Sequence, residues 1–178
     1  MDQLFMGYVE LAGKKCIQKL KDGAYLTKDA AERCESYGGV LAKSTILVDV
    51  DDDEQSQRFY GIVQAEGVRC VVIKTSRGRH FYFSGYPEGT KCRTHAHLAC
   101  GIDADIKVGT KASYGVLKID GYTRLVERDA EQCDILPPWA FPVSWHPDFE
   151  HMGDGDGRNQ LLYNYILTLQ ANGFTKSE

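Results

Sequence analysis

The chain has no apolar run near the roughly 18–20 residues a membrane-spanning helix needs, and its N-terminus lacks a secretory-signal pattern. No membrane partner is expected. Nor is there an excess of positive charge: 21 Lys and Arg against 25 Asp and Glu give a formal net charge of −4, so composition does not advertise nucleic-acid binding. That balance is not decisive, because acids that hold divalent ions lower the net charge and bound ions reverse it locally. The chain shows no internal repeat and no low-complexity tract, and its six cysteines (16, 34, 70, 92, 100 and 133) are scattered. Without a secretory signal they read as reduced thiols in a cytoplasmic protein. What remains is 178 residues, 43% hydrophobic and 26% charged, enough for one globular domain with an appendage.

The most informative stretch is Ile46-Leu47-Val48-Asp49-Val50-Asp51. Side chains alternate along a strand, so Asp49 and Asp51 share a face, ~6–7 Å apart along the backbone. Two acids on one face repel unless a cation sits between them, which suits a divalent metal. The competing reading is a strand running out into an acidic surface turn, since Asp52, Asp53 and Glu54 follow. Those three fit better as the negatively charged first turn of the next helix.

Around this stretch the periodicity predicts a strand at Leu4 to Leu11 and a helix from Lys28 to Tyr37, capped by Thr27 and stopped by Gly38-Gly39. A helix is expected over Glu54 to Ala65, then strands at Arg69 to Lys74 and Arg79 to Phe83. Tyr86 to Cys100 reads as loop, Ile102 to Val108, Tyr114 to Ile119 and Thr123 to Val126 as strands, and Gly153 to Gly157 as a linker. Asn159 to Gln170 is expected to be an amphipathic helix, with Leu162, Tyr165, Ile166 and Leu169 on one side. This order implies an α+β fold, a mixed or antiparallel sheet with helices on one side.

Three elements carry the chemistry. Asp49 and Asp51 supply a carboxylate pair. Ser76-Arg77-Gly78-Arg79-His80, entered from Lys74, is a glycine-containing turn with guanidiniums and an imidazole, suited to polyphosphate. A third acid, Asp105 or Asp103, lies on a later strand. Three carboxylates beside a phosphate-gripping turn match two-metal nucleotidyl transfer, in which the ions sit about 3.5–4 Å apart.

In these motifs the chain resembles the archaeo-eukaryotic primase superfamily, in particular the primase-polymerase domains of phages and mobile elements. The family's strand-borne Asp-x-Asp matches Asp49-Val50-Asp51, its small residue two before a histidine matches Gly78-Arg79-His80, and its hydrophobic-acid pair matches Ala104-Asp105. The trailing Ile106-Lys107-Val108-Gly109 favours Asp105 over Asp103, and Leu136-Pro137-Pro138-Trp139 looks like the Leu-Pro-x-Trp that often closes such domains. Many members carry Ser where this chain has Gly78, which leaves Ser76 as an alternative hydroxyl. The resemblance implies a primase fold with a core like the RNA-recognition motif and flanking helices. It implies Asp49, Asp51 and Asp105 as catalytic ligands of Mg²⁺ or Mn²⁺, and His80, Arg79, Arg77, Ser76 and Lys74 as nucleotide-binding. It further implies a single-stranded DNA template and primer, dNTP or NTP substrates, and a helicase in the full-length protein. Residues 1–150 would be the catalytic domain, and 151–178 a Gly/Asp linker with the start of a helical region.

Other readings compete. Cys92, His95, His97 and Cys100 are zinc-ligand types, but four ligands within nine residues lack the usual distant pair, so the segment is read as loop rather than as a structural zinc site. His95-Ala96-His97 with Tyr25-Leu26-Thr27-Lys28 imitates a rolling-circle-type endonuclease or replication initiator, with the tyrosine on the wrong side of the histidines. A non-catalytic single-stranded nucleic-acid-binding module would use Phe81, Tyr82 and Phe83 as a stacking platform.

Overall fold

The structure, a computed structural model, describes residues 1–20, 23–143 and 157–171. Most of the expected Gly153–Gly157 linker lies outside them. Eleven strands are present among the described residues: β1 (Phe5–Ala12), β2 (Lys15–Cys16), β3 (Tyr37–Leu41), β4 (Ile46–Val50), β5 (Val71–Lys74), β6 (Arg79–Phe83), β7 (Arg93–His97), β8 (Asp103–Val108), β9 (Tyr114–Ile119), β10 (Tyr122–Thr123) and β11 (Val126–Arg128). The helices are α1 (Lys28–Glu32), α2 (Asp53–Ala65) and α3 (Arg158–Ala171). No helix among the described residues is long and apolar enough to cross a membrane.

The α+β class holds, but the strands form two sheets rather than one, and every named pair is antiparallel. The first runs β10-β9-β3-β1-β2 and the second β11-β5-β6-β4-β8-β7. The alternation in β4 shows how the second sheet is buried on both sides. Ile46, Val48 and Val50 join Val72, Phe81 and Phe83 in a core under Phe59 and Val63 of α2. Leu47 joins Val71, Ile73 and Tyr82 against Phe5, Tyr8 and Tyr37 of the first sheet. Burying each large apolar side chain contributes roughly 1.5–3 kcal/mol, so this two-sided strand fixes the register of everything beside it.

Two expectations are corrected. The helix begun at Thr27, whose Oγ1 accepts from Ala30 N at 3.3 Å, ends at Glu32, and Tyr37–Leu41 is strand β3. Gly38-Gly39 is not a helix stop: a Cβ on Gly39 would lie 2.5 Å from the Phe5 ring, so the missing side chain lets β3 pack under β1's phenylalanine. The expected loop over Tyr86 to Cys100 contains β7, which pairs with β8 through a bulge. Helix α2 behaves as read. Asp52 is its N-cap, with Oδ1 accepting from Gln55 N at 2.8 Å, and Asp53 and Glu54 fill the first turn. Trp139, in a short 3₁₀ turn, packs edge-on against Phe59 at 5.3 Å and closes that core. In α3 none of the residues is fully buried, and Tyr165 donates its hydroxyl to Ala99 O at 3.0 Å.

Candidate active site

Strand β4 is flanked by β6 and β8, and the register places His80 and Asp105 on either side of Asp49. Residues paired across an antiparallel ladder share a face, so these three side chains project together. The period of two then adds Asp51 beyond the strand end, with Asp103 and Lys107 on β8. This face borders a cleft of about 600 Å³ whose lining includes Asp49, Asp51, Asp105, His80, Lys107 and Arg124. A second groove of about 300 Å³ shares the three carboxylates and adds Arg77, His95 and Asp103. The acids thus stand between two hollows, one with a cationic side.

Asp49 is the electrostatic centre. Burial alone would raise its carboxyl, but His80 and Lys107 outweigh that and hold it well below the usual carboxylate range. Lys107 Nζ lies 2.7 Å from Oδ2, and His80 Nε2 lies 3.3 Å from Oδ1. His80 is 4% exposed, and its burial, reinforced by Arg124 and Lys107 against the pull of Asp49, lowers the imidazole pKa and keeps the ring neutral. Its Nδ1 is 3.1 Å from the Tyr82 hydroxyl. Arg124 NH1 lies 3.0 Å from Nε2 and 3.5 Å from Nδ1. With its proton on Nε2 the neutral ring donates to Asp49 and accepts from Tyr82 at Nδ1.

The other acids have separate partners. Asp51 pairs with Arg77. Asp105 Oδ1 accepts from His95 N at 2.9 Å, and Asp103 Oδ1 lies 2.9 Å from His97 Nδ1. As placed, no three His, Cys, Asp or Glu among the described residues converge on a point that could hold an ion. The donor chemistry nevertheless suits a hard divalent cation: Asp49, Asp51 and Asp105 offer only oxygen from one face of the sheet, and Asp51 is held by an exposed arginine that salt screens.

The turn between β5 and β6 is only partly what its sequence suggested. Its organiser is Thr75, whose Oγ1 accepts from Gly78 N at 3.0 Å and from Arg77 N at 3.4 Å; Ser76 is exposed. Glycine is required at 78 because a Cβ would lie 1.9 Å from Val50 O, between the two aspartates. Arg79 pairs with Val50, not Asp49, and so faces away from the cleft. It is buried, bound to Glu127 (Nε to Oε2, 2.6 Å) and to Ser56 Oγ at 2.9 Å, and lies over the Tyr60 ring. Lys74, opposite Arg79 in the ladder, pairs with Asp53. Of the five residues expected to bind nucleotide, only His80 lines the cleft, and Arg77 lines the second groove.

Three cleft cations were missed from sequence, Arg93, Lys107 and Arg124. Lys107 was legible in principle, two residues after Asp105 and hence on the same face. Arg124 was not: the strand expected at Thr123 to Val126 is interrupted there, between β10 and β11.

The competing motifs are dispersed. His97 turns to Asp103, while His95 has a left-handed backbone (φ 50°) beside the β7 bulge, which breaks the alternation a His-x-His site needs. Tyr25 packs on Gly7 in the first sheet and donates to Leu20 O at 3.0 Å. Cys92 Sγ lies 3.4 Å from Ser113 Oγ, and Cys100 packs against the core beneath α2. Phe81, Tyr82 and Phe83 are all fully buried, so they offer no stacking platform. A scan against protein-family models gives no match, and searches of curated proteins and of solved structures give none either.

Proposed function

We propose that the protein is a template-directed nucleotidyltransferase, a DNA primase-polymerase of the archaeo-eukaryotic type, acting on single-stranded DNA with a primer and dNTP or NTP. The observation that supports this most is the register. One strand presents Asp49 between His80 and Asp105 on the wall of a cleft, with Asp51 two residues on and Lys107 and Arg124 beside them.

In the reaction a 3′-hydroxyl oxygen bonds to the α-phosphorus of the incoming nucleotide. The α–β P–O bond breaks, pyrophosphate leaves with the bonding pair, and the hydroxyl proton is released. Mg²⁺ or Mn²⁺ held by Asp49, Asp51 and Asp105 would supply activation of the hydroxyl and charge stabilisation of the phosphates. Lys107 keeps Asp49 ionised and in place. Neutral His80 orients Asp49 from the opposite side through its Nε2–H. Arg124 brings a fixed positive charge to the side of the cleft where a polyphosphate would lie.

The test is incubation with single-stranded DNA, with and without a primer, labelled dNTPs or NTPs, and Mg²⁺ or Mn²⁺. Metal-dependent product that disappears in Asp49→Ala is expected. Its absence under every condition would falsify the proposal.

A further inference from the structure

The proposed reaction leaves one sequence feature unused, the lysine cluster near the N-terminus. Residues 10–20 hold Lys14, Lys15 and Lys19 against a single acid, Glu10, on a chain whose net charge is −4. All three lysines are exposed, and among the described residues none has an ion-pair partner.

The cluster is placed rather than merely solvated. β1 and β2 form a hairpin with Leu11 opposite Cys16 and Ala12 opposite Lys15, leaving Gly13-Lys14 as a two-residue loop. Gly13 has φ 59°, the positive value a tight hairpin loop demands at its first position. The hairpin is the edge of the first sheet, and a β9 side chain ties down its loop end: Tyr114 donates its hydroxyl to Lys14 O at 2.9 Å and accepts from Cys16 N at 3.2 Å. Tyr114, Lys14 and Leu20 line the same cleft as Asp49, Asp51 and Asp105. Between Lys15 and Lys19, Ile17 is 58% exposed, an apolar side chain among the lysines.

We infer that the β1–β2 hairpin grips the phosphate backbone of the single nucleic-acid strand that enters this cleft; the inference rests on the proposed function above. A strand crossing the cleft cannot lay its phosphates along the carboxylates without repulsion, whereas the hairpin offers three ammonium groups without an ion-pair partner among the described residues, Lys14 in the cleft lining and Lys15 and Lys19 close to it in the chain. Lysines also guard exposed sheet edges against pairing. That role covers only Lys15, because Lys14 sits in the loop and Lys19 lies beyond β2.

The experiment is anisotropy of a labelled oligothymidylate over a salt series in the presence of a chelator, comparing the wild type with Lys14→Ala/Lys15→Ala/Lys19→Ala. Each phosphate contact on a single strand contributes about −0.7 to the slope of log K against log salt, so the triple variant should be shallower by about 2 and bind more weakly. The Lys→Arg triple variant should bind like the wild type. In primer extension, Lys15→Ala/Lys19→Ala should raise the KM for primer-template and leave that for nucleotide unchanged. An unchanged slope and affinity, no wild-type binding, or a raised nucleotide KM with DNA affinity intact would each overturn the inference. Lysine-dependent binding without any incorporation by the wild type would remove the proposed reaction and keep the hairpin's role. Incorporation with lysine-independent binding would do the reverse.

Discussion

Lys107 Nζ stands 2.7 Å from Asp49 Oδ2, reaching diagonally across the strand pair in which Asp49 faces Asp105. Long side chains span such diagonals readily. The contact makes Lys107 a positioning residue for the acid at the centre of the cleft. Lys107→Met should let the Asp49 carboxyl rise toward its ordinary range and reduce incorporation about 10–100-fold, as loss of an outer-shell partner commonly does. The acid limb of the pH–rate profile should move to higher pH, and Lys107→Arg should restore part of the activity. A profile that stays put would show that Lys107 has no hold on Asp49.

Two glycines should respond in opposite senses. Gly78→Ala forces a Cβ into Val50 O, so it should cost roughly 1–3 kcal/mol in urea denaturation and disturb both flanking aspartates. Gly61 lies inside α2 with open space where its Cβ would go. Gly61→Ala should stabilise by about 0.5–1 kcal/mol. Equal effects at the two sites would contradict the close approach at Gly78.

The arginines of the turn separate by burial. Arg79→Ala removes a buried guanidinium from a half-buried pair with Glu127 and should cost about 1–3 kcal/mol, with the nucleotide KM of the folded protein unchanged. Arg77 and Asp51 form an exposed pair, so Arg77→Ala should alter stability by less than about 1 kcal/mol. Thermal melts paired with steady-state kinetics distinguish the two.

Stability should fall in two steps with acid. Burial, with Arg124 and Lys107, lowers the His80 pKa in the folded protein, while an unfolded histidine titrates near about 6.5. Below about pH 6.5 the unfolded chain takes up a proton that the folded chain refuses, so stability drops by at most about 1.4 kcal/mol per pH unit. The depressed Asp49 carboxyl adds a second loss below about pH 3.9, where only the unfolded state is protonated. Urea titrations in steps from about pH 7.5 downward measure both; His80→Gln should flatten the upper step and, by removing one of the two groups that hold the Asp49 carboxyl low, also shrink the lower one.

Much of the second sheet could be read from the chain because its strands are short, β-branched or aromatic, and bounded by turns. β6 there, like β9 in the first sheet, has the expected ends, and the alternation that put Asp49 and Asp51 together is present. Strand β3 escaped because Lys28 to Tyr37 keeps a helical period past Glu32, and its glycines signal only when Phe5 is known to lie above them. The division into two sheets depends on pairings such as Val40 with Tyr114, which local periodicity does not carry. At the site, the same-face logic reached the acids and His80. It failed for Arg79 and Lys74, since alternation places them on the face opposite His80. Arg124 is aimed at His80 by long-range contacts alone.

The path between the sheets sets the order in which the cleft can be assembled. The chain leaves the first sheet after Leu41, enters the second at Ile46, returns at Tyr114 and crosses again before Val126. Every wall of the cleft is therefore closed by contacts distant in sequence, and such topologies fold slowly because long loops must close before they are rewarded. During synthesis Asp49 and His80 can pair early, Asp105 and Lys107 join next, and Arg124 arrives last. A nascent chain that has not yet reached residue 124 holds the carboxylates without their full complement of cations.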